Sequence, residues 1–276
     1  SNTELKQLDV AYGHLLAEYI NEFIQKNKLT QIDFIASHGH TVLHRPKEGV
    51  TLQIGSGEVL SKKTGCQVIC DFRTQDVQLG GEGAPLVPIG DELLFSQYDA
   101  CLNLGGFVNI SFKEDENRIA FDICPVNIVL NHYVRKLGLE YDDKGQIASK
   151  GVLNEQLLKE LNYLEFYQKK HPKSLGLEWV QEQVFPLIDK FDMEVKDILK
   201  TFVEHVAIQI ANTTKSIRDV YVSGGGVFNA YLMNRIQKHV NAEIIIPNSA
   251  IVNYKEALIF AFFGLLRSEN QVNCLS

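Results

Sequence analysis

The stretch Asp219-Val-Tyr-Val-Ser-Gly-Gly-Gly-Val-Phe-Asn229 decides the fold class. Val220 to Ser223 reads as a strand, Gly224-Gly225-Gly226 as a turn, and Asn229 as the opening of a helix. A glycine turn at a helix N-terminus brings backbone N–H groups close to any bound anion. On one side lies Glu243-Ile-Ile-Ile-Pro247, a further strand, and then a helical pattern over about 255–269. On the other, residues 184–215 carry two helical patterns, the second rich in Val, Ile and Ala. Helices and strands in alternation mean an α/β protein.

The same grammar continues toward the N-terminus. Cys101-Leu-Asn-Leu-Gly-Gly-Phe-Val-Asn-Ile-Ser-Phe112 predicts two short strands around a Gly-Gly turn, and Arg118 to Pro125 a third. Such hairpins call for mixed rather than purely parallel sheets. A helix is expected from Asn127 to Leu137 and another near 155–161. Before residue 98 a second α/β block is predicted: an amphipathic helix over 5–26, a strand at 32–36, a strand ending near Ile54, a helix over Gly57–Thr64 and a strand at 67–70. The loop Leu79-Gly-Gly-Glu-Gly-Ala-Pro-Leu-Val-Pro88 has no periodicity and reads as a hinge or lid. The expected lobes are therefore 1–98 and 99–276.

Composition narrows the class. The 276 residues are 45% hydrophobic, enough for a real core, and the formal net charge is −7. A net-acidic chain makes neither nucleic acid nor an anionic membrane its default partner. The five cysteines, Cys66, Cys70, Cys101, Cys124 and Cys274, include no C-x-x-C pair and read as reduced thiols. Residues 251–266 form the most apolar run, but Lys255 and Glu256 interrupt it, which predicts a buried helix rather than a membrane span.

Chemistry concentrates at strand ends. Gly105-Gly106 and Gly224–Gly226 are either tight turns or anion nests. Asp122 sits on an apolar strand; it is either a general base with a pKa raised by partial desolvation or a cap for the helix starting at Asn127. His38, His40 and His44 lie close in sequence, yet no Cys or carboxylate at metal-ligand spacing completes a site, so no protein metal cage is expected. Arg73 between Asp71 and Asp76 is either an ion-pair cluster or a clamp for a carboxylate or phosphate. Neither G-x-S-x-G nor a Walker A sequence is present.

Nine stretches in order resemble the anhydro-N-acetylmuramic acid kinase family: 37–46, 51–76, 79–88, 102–111, 121–127, 141–151, 173–179, 222–236 and 255–262. The resemblance implies a two-lobed actin/hexokinase-like (ribonuclease H-like) fold, with mixed sheets flanked by helices. It also implies an ATP-dependent kinase with Mg²⁺ that opens the 1,6-anhydro bridge with water and phosphorylates the freed 6-oxygen, in peptidoglycan recycling. On this resemblance Asp122 matches the catalytic base. Gly105, Gly106 and Asn109 match a phosphate turn, and Gly224, Gly225 and Gly226, with Asn229 nearby, the adenosine side. His38, Gly39, Thr41, Arg73, Asp76 and Glu256 match the sugar side. A cytoplasmic homodimer is implied as well. The sequence begins in what would be the family's first helix, so the first strand hairpin with its phosphate loop is expected to be missing from this chain. Ile123-Cys124-Pro125-Val126-Asn127 also stands where family members usually have Thr-Gly-Pro-Gly-Asn. These departures leave two alternatives open, a kinase for a different sugar and a non-catalytic sugar- or nucleotide-binding member.

Overall fold

A computed structural model describes residues 2–45, 48–83, 86–115 and 117–273. The chain divides into two compact units, Ser1–Leu93 with Glu256–Ser276, and Leu94–Lys255. This division differs from the expected lobes of 1–98 and 99–276, because the chain's last segment goes with the first unit. Packing supplies the reason: the Phe260 ring lies 5.6 Å from Phe72 and 4.7 Å from His38, and Arg267 donates to the Cys70 carbonyl at 2.6 Å.

In the first unit, helix α1 spans Asn2–Lys26, and strands β1 (Ile35–Ala36), β2 (His40–Arg45) and β3 (Val50–Ile54) follow. Helix α2 occupies Gly57–Thr64. Its bounds follow from local chemistry: the Ser56 hydroxyl accepts from Val59 N–H, and Gly65, at φ 72°, returns its N–H to Ser61. Strand β4 (Val68–Ile69) pairs parallel with β1, while β2 and β3 form an antiparallel hairpin. Helix α3 (Phe72–Gln78) follows, and α4 (Pro88–Leu94) ends the unit's first segment, its last residue falling in the second unit. Strand β2 and helices α3 and α4 are not expected from the sequence, in which 37–41 reads as a polar cluster after the first strand and Asp71, Arg73 and Asp76 as the polar end of the second. The hinge or lid expected over 79–88 contains Ala84 and Pro85, which lie outside the described residues, as does Cys274.

The second unit is built on a sheet of five strands in the order β7-β6-β5-β8-β9. These are β5 (Ala100–Leu104), β6 (Phe107–Glu114), β7 (Asn117–Pro125), β8 (Asp219–Ser223) and β9 (Glu243–Ile245). Strands β5–β6–β7 are antiparallel, whereas β5–β8–β9 are parallel, so the sheet is mixed, as the hairpins implied. Helices α5 (Asn127–Arg135), α6 (Gln146–Ser149), α7 (Glu155–Asn162), α8 (Leu177–Trp179), α9 (Phe185–Ile188), α10 (Val195–Thr213) and α11 (Ala230–His239) belong to this unit. Helix α10 presents Phe202, Val203, Val206 and Ile210 to a continuous core shared with Leu102, Ile110 and Val222. Burying each such side chain stabilises the unit by ~1.5–3 kcal/mol.

Helix α12 runs over Ser249–Ser268, starting earlier than the expected 255, and the unit boundary falls within it. By length and composition it is apolar enough to cross a bilayer, with mean hydropathy 1.4; 39% of that window is buried, including Val252, Ile259, Phe260 and Phe263. Cys66, Cys70, Cys101 and Cys124 are all free thiols.

Candidate active site

In the second unit, strand register brings the two glycine turns side by side. Asn103 pairs with Ser223 across the parallel strands β5 and β8, so the turns that follow each strand leave the same end of the sheet. Gly224 has φ 88°, and a Cβ there would meet Asn103 Oδ1 at 2.4 Å; a Cβ at Gly226 would meet Leu104 Cβ at 2.7 Å. Glycine at these two positions is thus demanded by close packing of the turns. Gly106 and Gly225 instead have open space on that side. The first turn is braced from below: Asn127 Nδ2 donates to the Gly105 carbonyl at 2.6 Å, and Val126 N–H to the Gly106 carbonyl at 2.9 Å. The carbonyls of this turn thus face the start of α5, while Gly105 N–H donates to the Phe107 carbonyl at 3.1 Å. Asn229 caps α11 by accepting from Leu232 N–H at 3.0 Å.

Asp122 lies on β7 opposite Asn109 of β6. It does not cap α5, whose N-cap is Val126 with no side-chain cap bond. Its carboxylate accepts from Leu175 N–H at 2.8 Å instead. Burial pushes the Asp122 carboxyl above the usual carboxylate range, and the Leu175 N–H opposes that rise. A half-buried carboxylate with a raised pKa is suited to take a proton from water. Its neighbours Ile123, Cys124 and Val126 are all buried in the core of this unit.

In the first unit, His38 and Arg73 form the centre of a polar network. Arg73 Nε donates to His38 Nε2 at 2.7 Å, and His38 Nδ1 contacts the Gly39 carbonyl at 3.0 Å. That pattern requires a neutral ring protonated at Nδ1. Burial, then the Arg73 charge, lower the His38 pKa and agree with it, while Glu256 acts in the opposite direction. Arg73 Nη1 also donates to the Gly83 carbonyl, and Gly83 N–H to the buried Asp76 carboxylate, both at 2.6 Å. His38, Arg73, Asp76 and Glu256 are therefore gathered in one neighbourhood. Gly39, at φ 69°, approaches Ile54 so closely that a Cβ would meet its carbonyl oxygen at 2.4 Å. Thr41 lies on the β2–β3 hairpin, where its hydroxyl accepts from Gln53 at 3.3 Å. A cavity of about 220 Å³ opens here, lined by Asp9, Ser37, His38, Gly39, Gln53 and Asp71 among others.

Several of these residues carry no sequence signal of their own. Asn103 beside Gly224, Asp9 accepting from Gly55 N–H at 2.8 Å, and Leu175 bonded to Asp122 act through contacts distant in sequence; only the N-x-G-G spacing around Asn103 hints at its place beside a turn. Among the described residues, no group of three or more His, Cys, Asp or Glu side chains converges as a metal site would require.

The second unit thus carries two glycine turns side by side and a half-buried carboxylate on one mixed sheet, the residue types that phosphate binding and general-base chemistry employ. Comparisons with known proteins narrow the class. A family model described as Anhydro-N-acetylmuramic acid kinase matches residues 2–273. The anhydro-N-acetylmuramic acid kinase of Acinetobacter baylyi is 37% identical over 84% of this chain and 69% of its own length. That of Shewanella denitrificans is 32% identical over 96% of this chain and 77% of its own. Among solved structures, a putative N-acetylmannosamine kinase from Listeria monocytogenes is a distant likeness, with TM-score 0.38 and 15% identity over 93% of this chain and 87% of that one. The chain belongs to the anhydro-N-acetylmuramic acid kinase family, and so to the sugar kinases.

Proposed function

We propose that this chain converts 1,6-anhydro-N-acetylmuramic acid, ATP and water into N-acetylmuramic acid 6-phosphate and ADP, in the recycling of cell-wall fragments. The observation that carries the reading is Asp122: a half-buried carboxylate with a raised pKa, on the β7 strand of a chain matched to this family from residue 2 to residue 273.

The chemistry follows from these groups. Asp122 takes a proton from water as the water oxygen bonds to the anomeric carbon. The C1–O6 bond breaks and its electron pair goes to O6. O6 then attacks the γ-phosphorus of ATP, and the bond to the leaving ADP oxygen breaks. General-base assistance of this kind contributes ~10²–10⁴-fold in rate. Gly105, Gly106 and Asn109 are assigned to the phosphates, and Gly224, Gly225 and Gly226 to the adenosine side, with Asn229 fixing the helix that follows. His38, Gly39, Arg73 and Glu256 are assigned to the sugar, with Asp76 and Thr41 holding the loop and hairpin around them. Mg²⁺ would enter with ATP, held by phosphate oxygens and water, and would offset charge on the phosphates.

A homodimer in the bacterial cytoplasm goes with this reading, and sedimentation would test the oligomer. The decisive assay offers the chain ATP, Mg²⁺ and either the bridged sugar or N-acetylmuramic acid. Formation of the 6-phosphate from the bridged sugar is expected. Strong preference for the unbridged sugar, or binding without turnover, would contradict the proposal.

A further inference from the structure

Among the described residues, strand β7 is an edge strand, and its outer side would offer unpaired backbone groups. At its C-terminal end the register shifts: Asn109 faces Asp122 while Val108 faces Cys124, so Ile123 is the extra residue of a bulge. There the chain returns from far along the sequence to cover the edge. Asp122 N–H donates to the Lys173 carbonyl at 3.0 Å, and Leu175 N–H donates to Asp122 Oδ2 at 2.8 Å. One aspartate is therefore gripped twice by the segment 173–175, once through its backbone and once through its carboxylate.

That segment is anchored on both sides. His171 stacks on Phe121 of β7, with centroids 5.1 Å apart and planes 15° from parallel, and its Nε2 lies 3.6 Å from Glu114 Oε1. Lys173 Nζ donates to the Phe166 carbonyl at 3.3 Å and lies over the Phe166 ring. Trp179, beyond the segment, packs against Phe166 with centroids 5.4 Å apart. Five residues in sequence would have little reason to hold one place on a sheet edge; these contacts supply it.

We propose that His171–Leu175 is a positioning strap for the carboxylate: the Leu175 main-chain N–H engages Oδ2 of Asp122 and presents Oδ1 to the attacking water. The proposal rests on the reading of Asp122 as the base. A donor to one oxygen fixes the side-chain rotamer, which sets the approach of the proton acceptor. It also favours the ionised form, opposing the upward push that burial gives the carboxyl. The other titratable groups facing Asp122 do not substitute for this contact. Burial holds the Cys124 thiol neutral, the Lys173 ammonium is turned to Phe166, and His171 and Glu114 pair with each other farther along the strand. Because the donor is a backbone N–H, the side chain at 175 is not what matters, and no side-chain pattern in the sequence announces the role.

Two measurements on the full chain test this. In protein labelled with ¹⁵N-leucine, the Leu175 amide proton should shift with pH along the acid limb of the kcat/KM profile, and this titration should vanish in Asp122→Asn. Leu175→Pro deletes the donor; the acid limb should then move to higher pH and kcat/KM at neutral pH should fall roughly tenfold, a hydrogen bond to a charged group being lost. Thermal melting shows whether the proline variant folds, and if it does not, the amide titration decides. A pH-independent Leu175 amide, or a folded Leu175→Pro with an unmoved acid limb, overturns the strap while Asp122→Asn still abolishes turnover. If Asp122→Asn keeps its turnover, the base reading itself fails and the strap falls with it.

Discussion

The two units support their polar residues by different means. In the second, a five-stranded sheet and the buried face of α10 fix where every strand ends, so the glycine turns and Asp122 inherit their positions from strand register. Among its described residues the first unit has two pairs of strands, one of them two residues long per strand, and α1 exposes Tyr19 and Phe23 at 62% and 61%. Its polar residues are held by one another: Arg73 grips His38 and the Gly83 carbonyl, and Asp76 grips Gly83 N–H. The lesson is that a site can be positioned by a core or by a hydrogen-bond network, and that the two should break differently.

The largest effect should come from the core. Phe202 is fully buried in α10, and Phe202→Ala should cost about 3–5 kcal/mol. Thermal or denaturant unfolding would measure it. A cost below ~1 kcal/mol would mean that the sheet and helix do not share one core.

Acid should act on the second unit next. His205 is buried, with one ring nitrogen 2.7 Å from Asn162 Oδ1 and the other 2.9 Å from the Tyr167 hydroxyl. Burial lowers its pKa from 6.5 to about 3. With the folded value below the unfolded one, the unfolded chain takes up the proton first. The contribution is whole above pH 6.5 and is lost progressively as pH falls toward about 3. His205→Gln should flatten this part of the stability–pH curve, by an amount on the order of a few kcal/mol. An unchanged slope would show that His205 does not set it.

The smallest effect belongs to the network. Arg73→Lys keeps the charge but cannot reproduce a fork that reaches His38 and Gly83 together. KM for the sugar should rise roughly tenfold, the equivalent of about 1.4 kcal/mol, with the melting temperature nearly unchanged. A large loss of stability instead would mean that the first unit also depends on Arg73 as a structural member.

The same contrast governs what the sequence reveals. Strands β5 and β8 are legible because buried strands write themselves as apolar runs between turns, and α2 is legible because Ser56 and Gly65 mark its ends. Strand β2 is not, since four of its six positions are exposed and its residues are mostly polar. Helix α3 is missed for a related reason: it begins at Asp71 in the left-handed region, without a side-chain cap bond, and carries Arg, Thr, Gln and Asp. At the candidate site, Asp122 and the glycine turns stand out locally. Asn127 bracing a turn and Leu175 bonded to Asp122 depend on pairings across many residues, which leave no local pattern, and Asn103 beside Gly224 shows only in its N-x-G-G spacing.

The most direct test follows the water. Run a single turnover with ATP, Mg²⁺ and the bridged sugar in H₂¹⁸O, quench quickly, and incubate finished product in labelled water to correct for exchange. The expected result is ¹⁸O on the anomeric carbon of the sugar 6-phosphate and none in its phosphoryl group, with no such product from Asp122→Asn. Label appearing in inorganic phosphate without a sugar phosphate would contradict it, because water would then be attacking ATP rather than the sugar.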